Sequence, residues 1–174
     1  YPGVMCRIAQ VIADGRRTTF RPRVLISGGE VLTPAMRQHL TQVFGGAVVE
    51  LYGSHEFGNV AWQCTKRGGF HVSDDSVILE VLKDGRPAHP GEVGEVVATG
   101  LHGLAMPFIR YRLGDLVTQG DTPCPCGAPF STILTVQGRM LDYFPLANGR
   151  LLHPYALITI INDHGARWIG QHQF

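Results

Sequence analysis

The sequence has little charge and no surplus of either sign. Only 17% of its 174 residues are Asp, Glu, Lys or Arg, and 15 basic side chains nearly cancel 14 acidic ones. Without an excess there is no bulk field to hold nucleic acid, an anionic membrane face or a polyanionic partner, so function has to reside in a site. No uninterrupted apolar run approaches the roughly 20 residues that cross a bilayer, and the first residues lack the basic-then-apolar plan of a secretory signal. The expectation is a soluble, cytoplasmic protein that engages neither nucleic acid nor membrane. Cysteine is scarce too. Four thiols at lopsided spacing make no disulfide framework, and a chain that is 44% hydrophobic can bury a core without staples. Cys124 and Cys126, in Pro-Cys-Pro-Cys-Gly, are too close to bridge one another without strain, yet well placed to share a metal.

What is present is concentrated between Ile109 and Asp115, in Ile-Arg-Tyr-Arg-Leu-Gly-Asp. Two guanidinium forks, a phenol and a carboxylate share seven residues, and a Gly directly before the acid lets the backbone turn and aim it. An Asp so placed can accept hydrogen bonds from two adjacent hydroxyls, as on a ribose, while Arg110 and Arg112 can pair with phosphate or carboxylate oxygens. The same heptad also reads as a strand ending in a charged turn with a local Arg–Asp pair, the two Arg merely bracing a sheet.

Val4, Ile8, Val11 and Ile12 fall at helical spacing and stop at Asp14-Gly15, which predicts an amphipathic helix. Its uncapped start suggests a piece of a longer protein. Val24-Leu25-Ile26 predicts a short strand running into Ser27-Gly28-Gly29-Glu30. Thr33 then caps a helix with Pro34 at its first position, Met36, Leu40, Val43 and Phe44 on its buried face and Gly45-Gly46 at its end. Val48 to Tyr52 is the next strand. Strand, helix, strand at this length is a parallel crossover unit, with its ligand crevice outside the carboxyl ends of the strands, here Ser27 to Glu30 and Tyr52 to Glu56. After about Trp62 the pattern alternates, with runs at Val77–Leu82, Glu92–Thr99, Leu116–Thr118 and Ile133–Val136, and with turn signals at Asp84-Gly85 and Pro90-Gly91. The fold class expected is α/β plus β: a parallel unit in residues 1–62, a small antiparallel sheet or distorted barrel in 63–137, and an incomplete carboxyl-terminal domain beginning at 138. In that last part Leu151 to Asn162 reads as a strand entering a helix.

Cys64 and His71 are separated by six residues containing Gly68-Gly69, enough for a turn that brings both side chains to one side. Cys124 and Cys126 lie on a Pro-rich knuckle that needs another anchor. Three thiolates and an imidazole suit a closed tetrahedral zinc site, and a structural zinc on Cys64, His71, Cys124 and Cys126 is the expectation. The alternative is reduced, unliganded thiols, with Cys6 as a spare in either case. His89, His102, His153, His164 and His172 show no paired spacing and read as surface or boundary residues.

Taken in order, Ser27-Gly28-Gly29-Glu30, Tyr52-Gly53-Ser54-His55-Glu56, Cys64 with Gly69-Phe70-His71, Pro90 to Val97, Ala105 to Asp115, Cys124 to Gly127 and Gly138-Arg139 resemble the adenylate-forming superfamily, above all its phenylacetate-coenzyme A ligase branch. The resemblance implies a two-step reaction. A carboxylate, by default an aromatic or other small acid, attacks the α-phosphate of ATP to give an acyl-adenylate, and coenzyme A then displaces AMP. It also implies that Gly28, Gly29 and Glu30 line the adenine and acyl pocket, that Tyr52 stacks near the adenine, and that Gly53 belongs to the nucleotide site. Glu56 would hold magnesium, Asp115 the ribose hydroxyls, and Arg139 would reach ribose or phosphate from a hinge. Two departures stand out: His55 replaces the family's usual Thr at the α-phosphate, and Leu141 stands where a hinge Asp is normal, with Asp142 next.

No Ser/Thr/Gly-rich phosphate loop and no counterpart of the family's carboxyl-terminal Lys appear in these residues. The chain alone is therefore expected to be inactive. Two other readings stay open. One is a non-catalytic remnant, serving as a nucleotide-binding or metal-stabilised structural module. The other is an adenylyltransferase acting on a deazaflavin coenzyme.

Overall fold

The computed structural model describes residues 1–15, 20–66, 68–121, 123–140, 144–148 and 151–152. Its opening follows from local sequence. Helix α1 (Pro2–Ala13) leads to strand β1 (Val24–Ser27), helix α2 (Pro34–Phe44) and strand β2 (Ala47–Ser54). The Thr33 hydroxyl accepts a hydrogen bond from the Met36 N–H, Pro34 occupies the first turn, and Gly45 closes α2 in the left-handed conformation. β1 and β2 pair in parallel from Val24 opposite Ala47 to Ser27 opposite Glu50. Ala9, Leu32, Leu40, Phe44 and Val48 form the core beneath the helices.

The buried face of α1 differs from the expected one. Pro2 and Ala9 are buried, with Met5, Cys6 and Ile12 packed against the core, while Val4, Ile8 and Val11 are 41–57% exposed. Apolar residues line two sides of this helix, and the side carrying the small Ala9 is the one that packs. β1 likewise leaves Val24 and Ile26 exposed on one face. No helix among the described residues is long and apolar enough to cross a membrane.

The sheet continues through β3 (Gly58–Gln63), β4 (Phe70–Val72), β5 (Val77–Lys83), β6 (Arg86–Pro87), β7 (Val93–Gly100), β8 (Tyr111–Gln119) and β9 (Thr132–Arg139). All nine strands form one mixed sheet in the order β1-β2-β3-β4-β9-β8-β7-β5-β6. It is open, with β1 and β6 as edges, and it contains the antiparallel strands expected after the parallel unit. It also runs without a break across residues 62 and 63, because β2 and β3 pair antiparallel. Val60, Val72, Val77, Val96, Val117 and Ile133 are its fully buried core, joined by Tyr52 and Phe70. Asp84-Gly85 makes the expected two-residue hairpin turn, both residues at positive φ, between Lys83 and its partner Arg86.

The chain divides into two compact units, Tyr1–Gly138 and Arg139–Phe174. In the second, β10 (Phe144–Pro145) pairs antiparallel with β11 (Leu151–Leu152). Leu141, Asp142, His153, His164, His172 and the rest of the strand-into-helix reading lie outside the described residues.

Candidate nucleotide and metal sites

Two segments more than fifty positions apart in sequence meet in the first unit. The first is the end of β2 and the turn that follows it. Pairing of β2 with β3 slips between Tyr52 and Gly53, and a Cβ on Gly53 would lie 2.4 Å from the Gly58 carbonyl oxygen, so only glycine lets these backbones approach. The turn then presents His55 and Glu56 to solvent.

The second segment is the start of β8. Its pairing with β7 slips opposite Glu95–Val97, where Gly114 sits at φ +74°. The expected turn before Asp115 is thus a bulge inside a longer strand, and it re-aims the acid as a turn would. No neighbouring atom crowds a Cβ at Gly114. Gly114→Ala should therefore cost only the backbone term, about 1–2 kcal/mol in urea denaturation.

The Tyr52 hydroxyl donates to Asp115 Oδ2 at 2.7 Å. Four strand spacings separate β2 from β8 in the sheet order. At about 4.8 Å each, a flat sheet would hold them about 19 Å apart, beyond the joint reach of the two side chains, so the sheet curls to bring them together. The Tyr52 ring is 8% exposed and belongs to the core cluster with Val60, Val96 and Val117. Four residues along each segment there is a second link. The Glu56 carboxyl is held below the usual range by its own nearby backbone N–H, by the Ser54 and Tyr111 hydroxyls and by His55, despite a small opposing effect of burial. Tyr52 meets Asp115 and Phe57 packs on Tyr111, as in two antiparallel segments facing each other.

Phe57, Phe108 and Tyr111 stack around this second link, with ring centroids 5.0–6.4 Å apart. Beside them an open cleft of about 590 Å³ is lined by His55, Glu56, His102, Leu104, Met106 and Phe108. Arg110 binds Glu80 through two nitrogens at 3.0 and 3.1 Å, and Arg112 binds Glu95. Both Arg brace neighbouring strands, and the local Arg–Asp pair of the simpler reading is not the arrangement they adopt. Tyr111 and Ser54 were missed as partners of Glu56. The only signal in sequence was that Tyr111 stands four before Asp115 as Glu56 stands four after Tyr52.

The remaining residues of the nucleotide reading are spread out. A Cβ on Gly28 would sit 3.1 Å from the Leu51 carbonyl oxygen, next to Tyr52 in sequence, and Gly29, at φ +81°, lies under the Tyr1 ring. Glu30 accepts from the Gly3 N–H at 3.1 Å and so caps α1, which has no cap of its own. Arg139 ends β9 and is exposed.

Cys64, at the end of β3, His71 on β4, and Cys124 and Cys126 in the β8–β9 loop converge, with all four donor atoms within 4.8 Å of one another. Cys64 Sγ is 4.0 Å from Cys124 Sγ, and Cys126 Sγ is 3.3 Å from His71 Nε2. A tetrahedral zinc with bonds of about 2.3 Å places thiolates about 3.8 Å apart, so the set needs little movement to fit. Cys64, His71 and Cys124 are buried. The turn closes through Cys64 N–H to the Gly69 carbonyl and Gly68 N–H to the Cys64 carbonyl, while Gly127 N–H bonds the Cys124 carbonyl. The Ala128 N–H bonded to its sulfur lowers the pKa of Cys126, but the adjacent Cys124 and Cys64 thiols together with burial leave it raised. His71 Nδ1 is buried with no hydrogen-bond partner among the described residues.

No family model matches the chain. Among curated proteins, 122 residues are 32% identical to a phenylacetate-coenzyme A ligase of Thermus thermophilus, covering 67% of this chain and 27% of that protein. A second phenylacetate-coenzyme A ligase, from Escherichia coli, is 35% identical over 99 residues, 54% of this chain and 23% of its own length. Of solved structures, a 2-hydroxyisobutyryl-CoA ligase in its postadenylation state with R3-HIB-AMP overlays 93% of this chain and 36% of its own at a TM-score of 0.81 and 22% identity. An anthranilate CoA ligase with anthranoyl-AMP covers 95% of this chain and 33% of its own at 0.70 and 16%. The fold is that of the adenylate-forming superfamily, to which the chain belongs. Within it, the curated relatives put the chain in the phenylacetate-coenzyme A ligase-like branch. The chain spans about a quarter of the length of these curated relatives.

Proposed function

We propose that these residues form part of an AMP-forming acid–coenzyme A ligase, which adenylates a small carboxylic acid with ATP and passes the acyl group to coenzyme A. The observation that supports this reading is the Tyr52–Asp115 bond, with Phe57 packed on Tyr111 farther along the same two segments, which brings Asp115 and the turn carrying Glu56 toward each other. Asp115 would accept the ribose hydroxyls. Gly28 and Gly29 would let the adenine approach the backbone after β1.

Glu56 fits magnesium: its carboxylate is exposed, its pKa lies below the usual range, and single carboxylates plus phosphate oxygens are the usual ligands of that ion. When bound, the ion would neutralise phosphate charge during adenylation. His55, on the same turn, would donate to a phosphate oxygen where relatives have a hydroxyl. Zinc fits the Cys64, His71, Cys124 and Cys126 set and would fasten the β8–β9 loop to β3 and β4 as a structural ion. An adenylyltransferase acting on a deazaflavin would use the same ribose and cation residues. The aryl or other acyl substrate belongs to the larger enzyme.

The test is a nucleotide titration of this chain followed by amide NMR. Two hydrogen bonds to a carboxylate are worth on the order of 2–4 kcal/mol, which gives millimolar ATP binding or weaker. Asp115→Ala should remove it. Micromolar binding that survives this substitution would show that the nucleotide sits elsewhere.

A further inference from the structure

We propose that Tyr52 serves this site through its hydroxyl, as the positioning residue that sets the Asp115 carboxylate for the ribose; the inference rests on Asp115 being the ribose ligand. A tyrosine at this place in the chain could serve a nucleotide in two ways, with its ring face against a base or with its hydroxyl against a neighbour. The ring is nearly closed off, at 8% exposure, among the valines of the sheet core. The hydroxyl, by contrast, makes a 2.7 Å bond to Asp115 Oδ2.

The backbone on both sides is shaped for that bond. β2 slips register directly after Tyr52, and β8 slips register around Gly114, directly before Asp115. Neither irregularity is needed to extend a sheet. Together they bring a phenol and a carboxylate from strands four spacings apart onto one point. A carboxylate has about four acceptor positions, so it can take a tyrosine hydroxyl and ribose hydroxyls at once. Accepting from Tyr52 fixes the rotation of the carboxylate group before a nucleotide arrives, which removes part of the ordering cost of binding. The ring anchors the hydroxyl in turn, because a side chain packed on all sides in the core cannot swing away.

Tyr52→Phe keeps the ring and removes only the donor, so it separates the two roles. The probes are ATP and 2′,3′-dideoxy-ATP, titrated into the whole chain and followed by amide NMR, with circular dichroism to confirm that each variant is folded. The native chain should favour ATP over the dideoxy nucleotide by about thirtyfold or more, the worth of the two hydroxyl bonds that the dideoxy sugar lacks. In Tyr52→Phe that preference should shrink to below about threefold, while affinity for the dideoxy nucleotide stays as it was. Equal weakening toward both nucleotides, or no change toward either, in a folded Tyr52→Phe would overturn the proposal. If the native chain shows no sugar preference, or Asp115→Asn leaves that preference intact, the ribose assignment of Asp115 fails first and takes the inference with it. The two failures are thus distinct.

Discussion

Purified in buffer free of added metal, the chain should carry close to one equivalent of zinc, and removing it should lower the thermal midpoint by about 10 °C. The size follows from linkage: a site holding its ion at 1,000 times the dissociation constant adds about 4 kcal/mol to stability, and a domain of this length shifts by about 2–4 °C per kcal/mol. Full unfolding is not expected. A nine-stranded sheet with its own valine core survives where a zinc finger would not, so the loss should centre on the middle of the loop between β8 and β9, where Cys124 and Cys126 meet β3 and β4; its far end is held separately by Phe130 against Trp62 and by the Ser131 N–H bond to Asp74. Thiol titration gives an independent reading. In the native protein Cys6, which lies on α1 and outside the cluster, should react while the other three are protected; with denaturant and chelator all four should react. Cys124→Ser should abolish zinc retention and Cys6→Ser should leave it unchanged. A folded, metal-free protein with four thiols equally reactive would end the zinc assignment.

The convergence of Cys64, His71, Cys124 and Cys126 was legible in sequence because the chemistry they offer is carried by residue type. Cysteine and histidine have few other reasons to sit on glycine-rich turns, and the two pairs needed only one long-range pairing, β4 with β9, to meet. The helices and the parallel pair were legible for a similar reason: Thr33, Pro34 and Gly45 mark the ends of α2 by local rules that tertiary contacts did not override.

Bulges defeated the reading elsewhere. β3 buries Val60 and Ala61 side by side after the slip at Gly53, which breaks the two-residue period, and the strand was overlooked. The bulge at Gly114 hid the first half of β8, so only Leu116–Thr118 looked like a strand where Tyr111–Gln119 is one. Both irregularities lie beside residues assigned to the nucleotide. The pattern failed at the positions where aiming a side chain took precedence over regular pairing. The exposed stripe of α1 could not be anticipated either, because period alone does not say which of two apolar sides finds a partner.

Given ATP, magnesium and a panel of aryl and alkyl acids, the chain should release pyrophosphate no faster than a protein-free control. It carries the acids proposed for the cation and the ribose, but no glycine-rich Ser/Thr loop to cradle the phosphates and no counterpart of the family's catalytic Lys. Adenylation proceeds through a charged, crowded α-phosphate, and most of its acceleration has to come from donors fixed around the developing charge. Losing a single such donor typically costs about 10²–10³ in rate, so losing a loop and a lysine together puts turnover below detection. His55 cannot make up the difference, since it is one exposed donor on a solvent-facing turn. Glu56 and Asp115 should still act as binding residues, so magnesium-dependent amide shifts at Ser54 to Phe57 are expected in the same inactive sample. Those shifts should vanish in Glu56→Gln. Turnover above background, dependent on Glu56, would mean that the phosphate donors are already present among these 174 residues and that the chain is itself a catalyst.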